Sequence, residues 1–197
     1  MPTLYALKPA FQSRLRPLTA WLAARGVTAN QVTVGAAVLS IFAGALIAMF
    51  PDRRAIFWLI PVALFVRMAL NAIDGMLARE HGQASKLGMF LNEIGDIVSD
   101  MALILPFALV SPFAAWGVVA FALTAFLAEF AGVLGIASGV GRIYAGPFGK
   151  SDRALALGII AVAVASGFAV PVIAPWIFPV LAVLSIATTV NRISAGL

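Results

Sequence analysis

"FWLIPVALFVRMALNAIDGMLARE", residues 57–80, decides what kind of molecule this is. Its first part is an oily run broken only by Arg67. Its second part sets Asn71, Asp74 and Arg79 where the run ends. About 20 apolar residues suffice to cross a bilayer, so the segment reads as a membrane span with polar chemistry at one end. A second stretch mirrors it. In "GMFLNEIGDIVSD", residues 88–100, Asn92, Glu93, Asp96 and Asp100 precede a return to apolar sequence.

The rest of the chain agrees with a membrane setting. Of its 197 residues 62% are hydrophobic and 11% charged, and mean hydropathy is +1.05. Soluble domains run at about 45–50% apolar and about 25% charged. The expectation is an all-α integral membrane protein of one domain, residues 1–197. With no Cys, a disulfide framework and a thiolate metal site are excluded. A pI near 10.5 could suggest nucleic acid, but the charges do not form a basic face. Lys8, Arg14, Arg16 and Arg25 lie in an N-terminal arm, and Arg79, Lys86, Arg142, Lys150 and Arg153 lie in two loops. No nucleic-acid partner is expected. The first long apolar run starts beyond residue 30 and is long enough to span, so it is not read as a cleavable leader.

Six spans are predicted, at about 31–50, 54–78, 87–110, 113–138, 154–170 and 173–191. The last two divide an uncharged stretch too long for one span, with Pro171, Pro175 and Pro179 marking the turn. Ahead of this bundle (31–191), Leu4, Leu7, Phe11, Leu15, Leu18 and Leu22 recur at helical spacing in an arm over residues 1–25. This suggests an amphipathic helix lying on an anionic leaflet. Six spans put the arm, both basic loops and the tail on one side, which collects ten Lys and Arg when Arg192 is included. The positive-inside rule makes that side cytoplasmic, with both termini.

The acids are the feature to explain. Each charge at bilayer centre costs about 2.5–3.5 kcal/mol on insertion scales. Asp74, Glu93, Asp96, Asp100, Glu129 and Arg67 all fall within or at the edges of the predicted spans. Asn71 and Asp74 are i,i+3, and Asn92, Asp96 and Asp100 are i,i+4,i+8, so each set shares a helix face. Both faces lie near the cytoplasmic end, where Gly75 and Gly88 leave room for close approach. A divalent cation seeking oxygen ligands suits them. For Arg67, Asp100 and Glu129 the alternative is a structural ion-pair cluster, Arg67 pairing with Asp100 or Glu129.

The stretch Asn71-Ala-Ile-Asp74-Gly75-Met-Leu-Ala78-Arg79, then eight residues, Gly88, three, Asn92, three, Asp96 resembles the signature D-x2-D-G-x2-A-R-x8-G-x3-D-x3-D of the CDP-alcohol phosphatidyltransferases. Six of the eight fixed positions match, at the right spacing throughout. "GVTANQVT", residues 26–33, is similar to that family's lead into its first span. The resemblance extends over nearly the whole chain and suits a divergent bacterial inner-membrane member.

It implies phospholipid biosynthesis: an alcohol attacks the β-phosphorus of CDP-diacylglycerol and CMP leaves. It also implies one or two Mg²⁺ or Mn²⁺ ions and a homodimer. Carried over by position, Asn71, Asp74, Asn92 and Asp96 would be the metal ligands and Asp96 the general base. Asp74, Gly75, Ala78, Arg79 and Gly88 would form the nucleotide site. The physical logic is coherent, since dications neutralise developing charge and a carboxylate near the hydroxyl takes its proton.

The departures are Asn71 and Asn92, which stand where the family has its first and third Asp. An amide oxygen can ligate Mg²⁺, with weaker affinity expected. Glu93 or Asp100 could compensate, but Glu93 is one residue off the polar face, about 100° away, and Asp100 lies a turn deeper. The loop "GRIYAGPFGKSDRAL", residues 141–155, contains "GKS" but lacks the glycine spacing and preceding strand of a P-loop. In the family this region borders the acceptor pocket, so Arg142, Lys150 and Arg153 could receive a phosphorylated acceptor such as glycerol phosphate. Positive-inside charge alone is the alternative. His81 is assigned no role. Two functions stay open, a working transferase and a non-catalytic member, silenced by its two Asn, that binds CDP-lipid or packs with a membrane partner. A transporter is disfavoured, because no inverted repeat or paired broken helices are evident.

Overall fold

The computed structural model describes residues 4–167 and 173–197, with side chains from Pro9 onward. Seven α-helices are present among these residues, and no strand. They are α1 (Leu4–Ala24), α2 (Ala29–Met49), α3 (Leu59–Glu80), α4 (Lys86–Ile104), α5 (Ala115–Ala137), α6 (Lys150–Ala165) and α7 (Ala174–Gly196). Short 3₁₀ turns at Arg54–Trp58 and Leu105–Leu109 lead into α3 and continue α4.

The starts of α2, α4 and α6 each have a local chemical cause. Thr28 caps α2 in a reciprocal box: its hydroxyl accepts from Gln31 N–H at 3.2 Å while the Gln31 side chain accepts from Thr28 N–H at 2.9 Å. Ser85 caps α4, accepting from Gly88 N–H at 2.9 Å. At α6 the Asp152 carboxylate accepts from Gly149 N–H at 2.9 Å. Gln83, between α3 and α4, accepts from Ala29 N–H at 2.6 Å and donates to the Val27 carbonyl at 3.3 Å. That pins the start of α4 beside the start of α2.

The helices pass back and forth, so the starts of α2, α4 and α6 gather with the ends of α3, α5 and α7 at one end. The other end is closed by Phe57, Phe107, Phe113, Phe121 and Phe178, whose neighbouring ring centroids lie 5.1 to 5.9 Å apart. Close helix contacts use glycine. A Cβ on Gly44 of α2 would fall 2.0 Å from the Ala102 carbonyl oxygen of α4, and one on Gly117 of α5 would fall 2.6 Å from Pro179 of α7. The aromatic end is thus the packed core, and polar residues collect at the opposite end.

Four segments are long and apolar enough to cross a membrane: Ala29–Met49, Arg54–Glu80, Ala115–Ala137 and Ala174–Gly196. The expected spans at 87–110 and 154–170 do not join them within the described residues. Helix α4 carries Lys86, Glu93, Asp96 and Asp100. Helix α6 has 16 residues, about 24 Å of rise against a core of about 30 Å. The proline reading also changes. Pro171 lies outside the described residues, but Pro175 and Pro179 sit within α7. Pro175 is in the first turn, where its missing N–H has no intrahelical partner to lose, and Pro179 packs on Gly117.

The N-terminal arm is helical, but part of its apolar stripe is used inside the protein. Leu15 and Leu22 pack with Ile73, Met76 and Leu77 of α3, and Phe11 meets Phe65 edge-on at 6.3 Å. Arg16 fixes the pairing through two hydrogen bonds to Glu80, at 2.9 and 3.0 Å. Leu18 and Trp21 remain exposed.

Candidate active site

Six helices and the α5–α6 loop converge at the polar end. From α3 come Arg67, Asn71 and Asp74, three or four residues apart on one face. Asp74 is buried and accepts a hydrogen bond from the Thr33 hydroxyl of α2 at 2.8 Å. Opposite, α4 presents Glu93, Asp96 and Asp100. Asn71 donates to Asp96 Oδ1 at 3.3 Å, so the two signature faces meet.

Asp96 is the most heavily engaged carboxylate of this group. Arg67 reaches its Oδ1 at 3.1 Å and its backbone carbonyl at 3.0 Å, and the Lys150 ammonium lies 2.5 Å from the same Oδ1. Arg67 also binds Asp100 at 2.6 Å. Of the two partners expected for Arg67, Asp100 is therefore found. Glu129 is taken by other arginines.

Glu129 of α5 is the hub of a second cluster. Arg153 of α6 donates to its Oε1 at 2.6 Å, Arg192 of α7 approaches the same oxygen at 3.2 Å, and Arg142 of the α5–α6 loop donates to Oε2 at 2.7 Å. Arg142 also pairs with Glu93, and Arg153 lies 3.6 Å from Asp100. The two clusters thus form one chain of ion pairs. Burial works against the charge on Arg142, but Glu93 and Glu129 outweigh it and hold its pKa above the ordinary arginine value. Glycines let the loop lie this close: a Cβ on Gly132 would fall 2.8 Å from the Ile143 carbonyl oxygen, and one on Gly146 would fall 2.6 Å from the Thr188 methyl. Thr188 in turn accepts from Phe148 N–H at 3.0 Å.

The remaining expected residues divide. Arg79 is exposed and its guanidinium folds back over Gly75, where a Cβ would be 2.8 Å from it. Gly88 faces the Asn30 side chain, 2.8 Å from a Cβ built there. Asn92 and Ala78 are partly buried beside this group. Thr33, Asn30, Arg192 and the hub role of Glu129 went unread in the sequence. Thr33 and Asn30 sit inside the quoted "GVTANQVT", so a polar residue on the α2 face toward α3 was the available signal. No local signal marks Arg192, a tail cation like any other until the fold buries it.

The donors on the signature faces are all oxygens, two carboxylates and two amides. Among the described residues no three His, Cys, Asp or Glu come together as a ready-made metal site. Oxygen donors of this kind are the chemistry that hard dications take, commonly one or two carboxylates together with substrate phosphate oxygens.

An all-helical membrane fold with an oxygen-only polar site at the end of α3 and the start of α4 defines the class. The chain belongs to the CDP-alcohol phosphatidyltransferase family, whose model matches residues 26–190. It is 45% identical over 196 residues to the inner membrane protein YnbA of Escherichia coli, covering 96% of this chain and 94% of that one. It is 40% identical over 102 residues to the phosphatidylinositol phosphate synthase of Streptomyces avermitilis, covering 51% of this chain and 40% of that one. The fold matches the crystal structure of the Mycobacterium tuberculosis phosphatidylinositol phosphate synthase with CDP-DAG bound, at a TM-score of 0.76 and 20% identity, over 91% of this chain and 92% of that one. A second structure of that enzyme, in complex with manganese and citrate, gives the same TM-score of 0.76, at 21% identity and over 91% and 87% of the two chains.

Proposed function

We propose that this protein transfers a phosphatidyl group from CDP-diacylglycerol to a small polar alcohol and releases CMP. The observation that carries the reading is the meeting of the two signature faces, Asn71 of α3 bonded to Asp96 of α4, with Asp74 buried alongside. In the reaction the acceptor oxygen bonds to the β-phosphorus. The bond from that phosphorus to the bridging oxygen breaks, its electrons leaving with CMP. The hydroxyl proton passes to Asp96, the general base.

Asp74 and Asp96, with the amide oxygens of Asn71 and Asn92, would hold one or two Mg²⁺ or Mn²⁺ ions against the diphosphate. A dication there supplies charge neutralisation and in-line clamping of the diphosphate oxygens. Asp74, Gly75, Ala78, Arg79 and Gly88 form the nucleotide side of the site. The Arg79 guanidinium covers Gly75 and the Asn30 side chain covers Gly88, and the exposed Arg79 offers a cation. Arg67 and Lys150 hold Asp96 in orientation. Arg142, Lys150 and Arg153 line the acceptor side.

The membrane arrangement we propose has six crossings, α4 and α6 completing the four long spans as short helices around a polar site. Ten Lys and Arg on one side support a cytoplasmic site and cytoplasmic termini in a bacterial inner membrane. Helix α1, its inner face on α3 and Leu18 and Trp21 exposed, rests on the cytoplasmic leaflet. The working unit is a homodimer.

The test is CMP release from CDP-diacylglycerol by purified protein in nanodiscs, with Mg²⁺ or Mn²⁺, an acceptor panel and Asp96→Asn as control. Metal-dependent release that an acceptor stimulates and Asp96→Asn abolishes is the expected result. No release with any acceptor, while CDP-diacylglycerol still raises Tm, would replace this reading with a lipid-nucleotide binder silenced at Asn71 and Asn92.

A further inference from the structure

The cations of the acceptor side suggest a negatively charged acceptor, but each is already paired. Arg142 lies between Glu93 and Glu129, Lys150 is on Asp96, and Arg153 is shared by Glu129 and Asp100. Depth separates these pairs into two layers. Arg153, Arg192 and Glu129 have side chains only 3%, 2% and 5% exposed and form a sealed base. Above them, Lys150 is 33%, Arg142 16%, Glu93 17% and Asp96 11% exposed. An approaching acceptor therefore meets the second layer.

That layer alternates in sign and carries no net charge. Glu93 and Asp96 are i,i+3 on α4 and share a face, each bound to a cation from the loop or the start of α6. Among the described residues Arg142 Nε has no hydrogen-bond partner and the Lys150 ammonium makes one ion pair, so donors remain for an acceptor oxygen. A phosphate monoester taking them would set its charge against Glu93 and Asp96 in a poorly solvated site, where like charges repel strongly. A neutral polyol meets no such repulsion. Its hydroxyls donate to Glu93 and Asp96 and accept from Arg142 and Lys150 while the ion pairs stay intact.

We infer that Glu93, backed by Glu129, sets the acceptor class of this site as an uncharged polyhydroxy alcohol rather than a phosphorylated one. The inference rests on the transferase reading above and narrows it. Glu93 lies off the signature positions and does not touch the reacting phosphorus, so it acts as a specificity residue by compensating Arg142. Discrimination is then a difference between two acceptors, produced by a repulsive element as much as by an attractive one.

The experiment compares wild type with Glu93→Gln in nanodiscs, in two arms. In the first, CMP release is measured with the matched pairs glycerol and glycerol phosphate, and inositol and inositol phosphate, at equal ionic strength. Wild type should favour the uncharged member of a pair by at least about tenfold in kcat/KM, and Glu93→Gln should move that ratio about tenfold toward the phosphorylated member. In the second, Tm is measured with inorganic phosphate against chloride at matched ionic strength. Phosphate should leave wild type unmoved and protect Glu93→Gln saturably. Preference of wild type for the phosphorylated acceptors, or phosphate protection of wild type, would overturn the inference. Absence of CMP release with every acceptor would instead count against the transferase reading. The phosphate arm would then decide the charge claim by itself. If Glu93→Gln does not fold, the wild-type ratio and the wild-type phosphate response decide.

Discussion

The Lys150 ammonium lies 2.5 Å from Oδ1 of Asp96, joining the first turn of α6 to the polar face of α4. The same carboxylate oxygen also takes Arg67 at 3.1 Å. A carboxylate held by two cations is fixed in orientation, which a base needs before the acceptor arrives. Lys150 also ties the loop after α5 to the signature residues, so acceptor binding and base geometry share one contact.

Replacing Lys150 by Met should separate those roles. Lys150 is one-third exposed, so the change in stability should stay below about 1 kcal/mol. Turnover should fall by about 10–100-fold, chiefly in KM for the acceptor, because Arg67 still holds Asp96. Steady-state CMP release together with Tm measures both. A large Tm loss with unchanged kinetics would make the lysine structural.

Asp96→Asn should lower CMP release by about 10²–10⁴-fold, the range expected when a general base is removed. Protection by CDP-diacylglycerol in a thermal shift should persist, since the nucleotide side is contributed mainly from α3. Equal loss of turnover and binding would reassign Asp96 to the nucleotide.

Glu129→Ala tests the sealed base. Three guanidiniums lose their shared carboxylate, and leaving buried charge uncompensated costs about 3–5 kcal/mol. The expected result is a sharp fall in Tm or in the yield of monodisperse protein, with Glu129→Gln intermediate. A near-neutral Glu129→Ala would mean that the arginines find other partners.

A pair of glycine variants tests the helix approach that sets the site. Gly44→Ala should destabilise by about 1–3 kcal/mol through overpacking, since its Cβ would meet the Ala102 carbonyl oxygen at 2.0 Å. Gly35→Ala, with nothing within 4 Å of the added carbon, should be neutral or slightly stabilising. Tm values of the two proteins, measured side by side, check this.

Restoring carboxylates at both amide positions, Asn71→Asp with Asn92→Asp, should tighten Mn²⁺ binding by at least about tenfold, because ligand charge sets the affinity of hard-cation sites. Calorimetric titration of wild type and double variant measures it. Removal of metal by EDTA should abolish wild-type turnover. Unchanged Mn²⁺ affinity would remove the amides from the ligand set.

Linear sequence was enough for the class of fold and for two polar helix faces, which the structure brings together at one end of the bundle. Hydropathy over about 20 residues marks a helix in a bilayer whatever its neighbours are, and i,i+3 or i,i+4 spacing puts Asn71 with Asp74 and Asn92 with Asp96 on common faces. These are local properties of one helix, so they survive in a linear reading. Whether α4 and α6 count as spans was less legible, because α4 is charged and α6 is short. The tertiary structure alone decided how the charges pair. Glu129 gathers Arg142, Arg153 and Arg192 from 13, 24 and 63 residues away. Separations of that kind have no periodicity, and every cation in a basic loop looks equally available until packing chooses its partner. Glu93, one residue off the signature face, showed nothing of its arginine partner for the same reason. Only the close passage of the loop over Gly132 and Gly135 brings Arg142 within its reach.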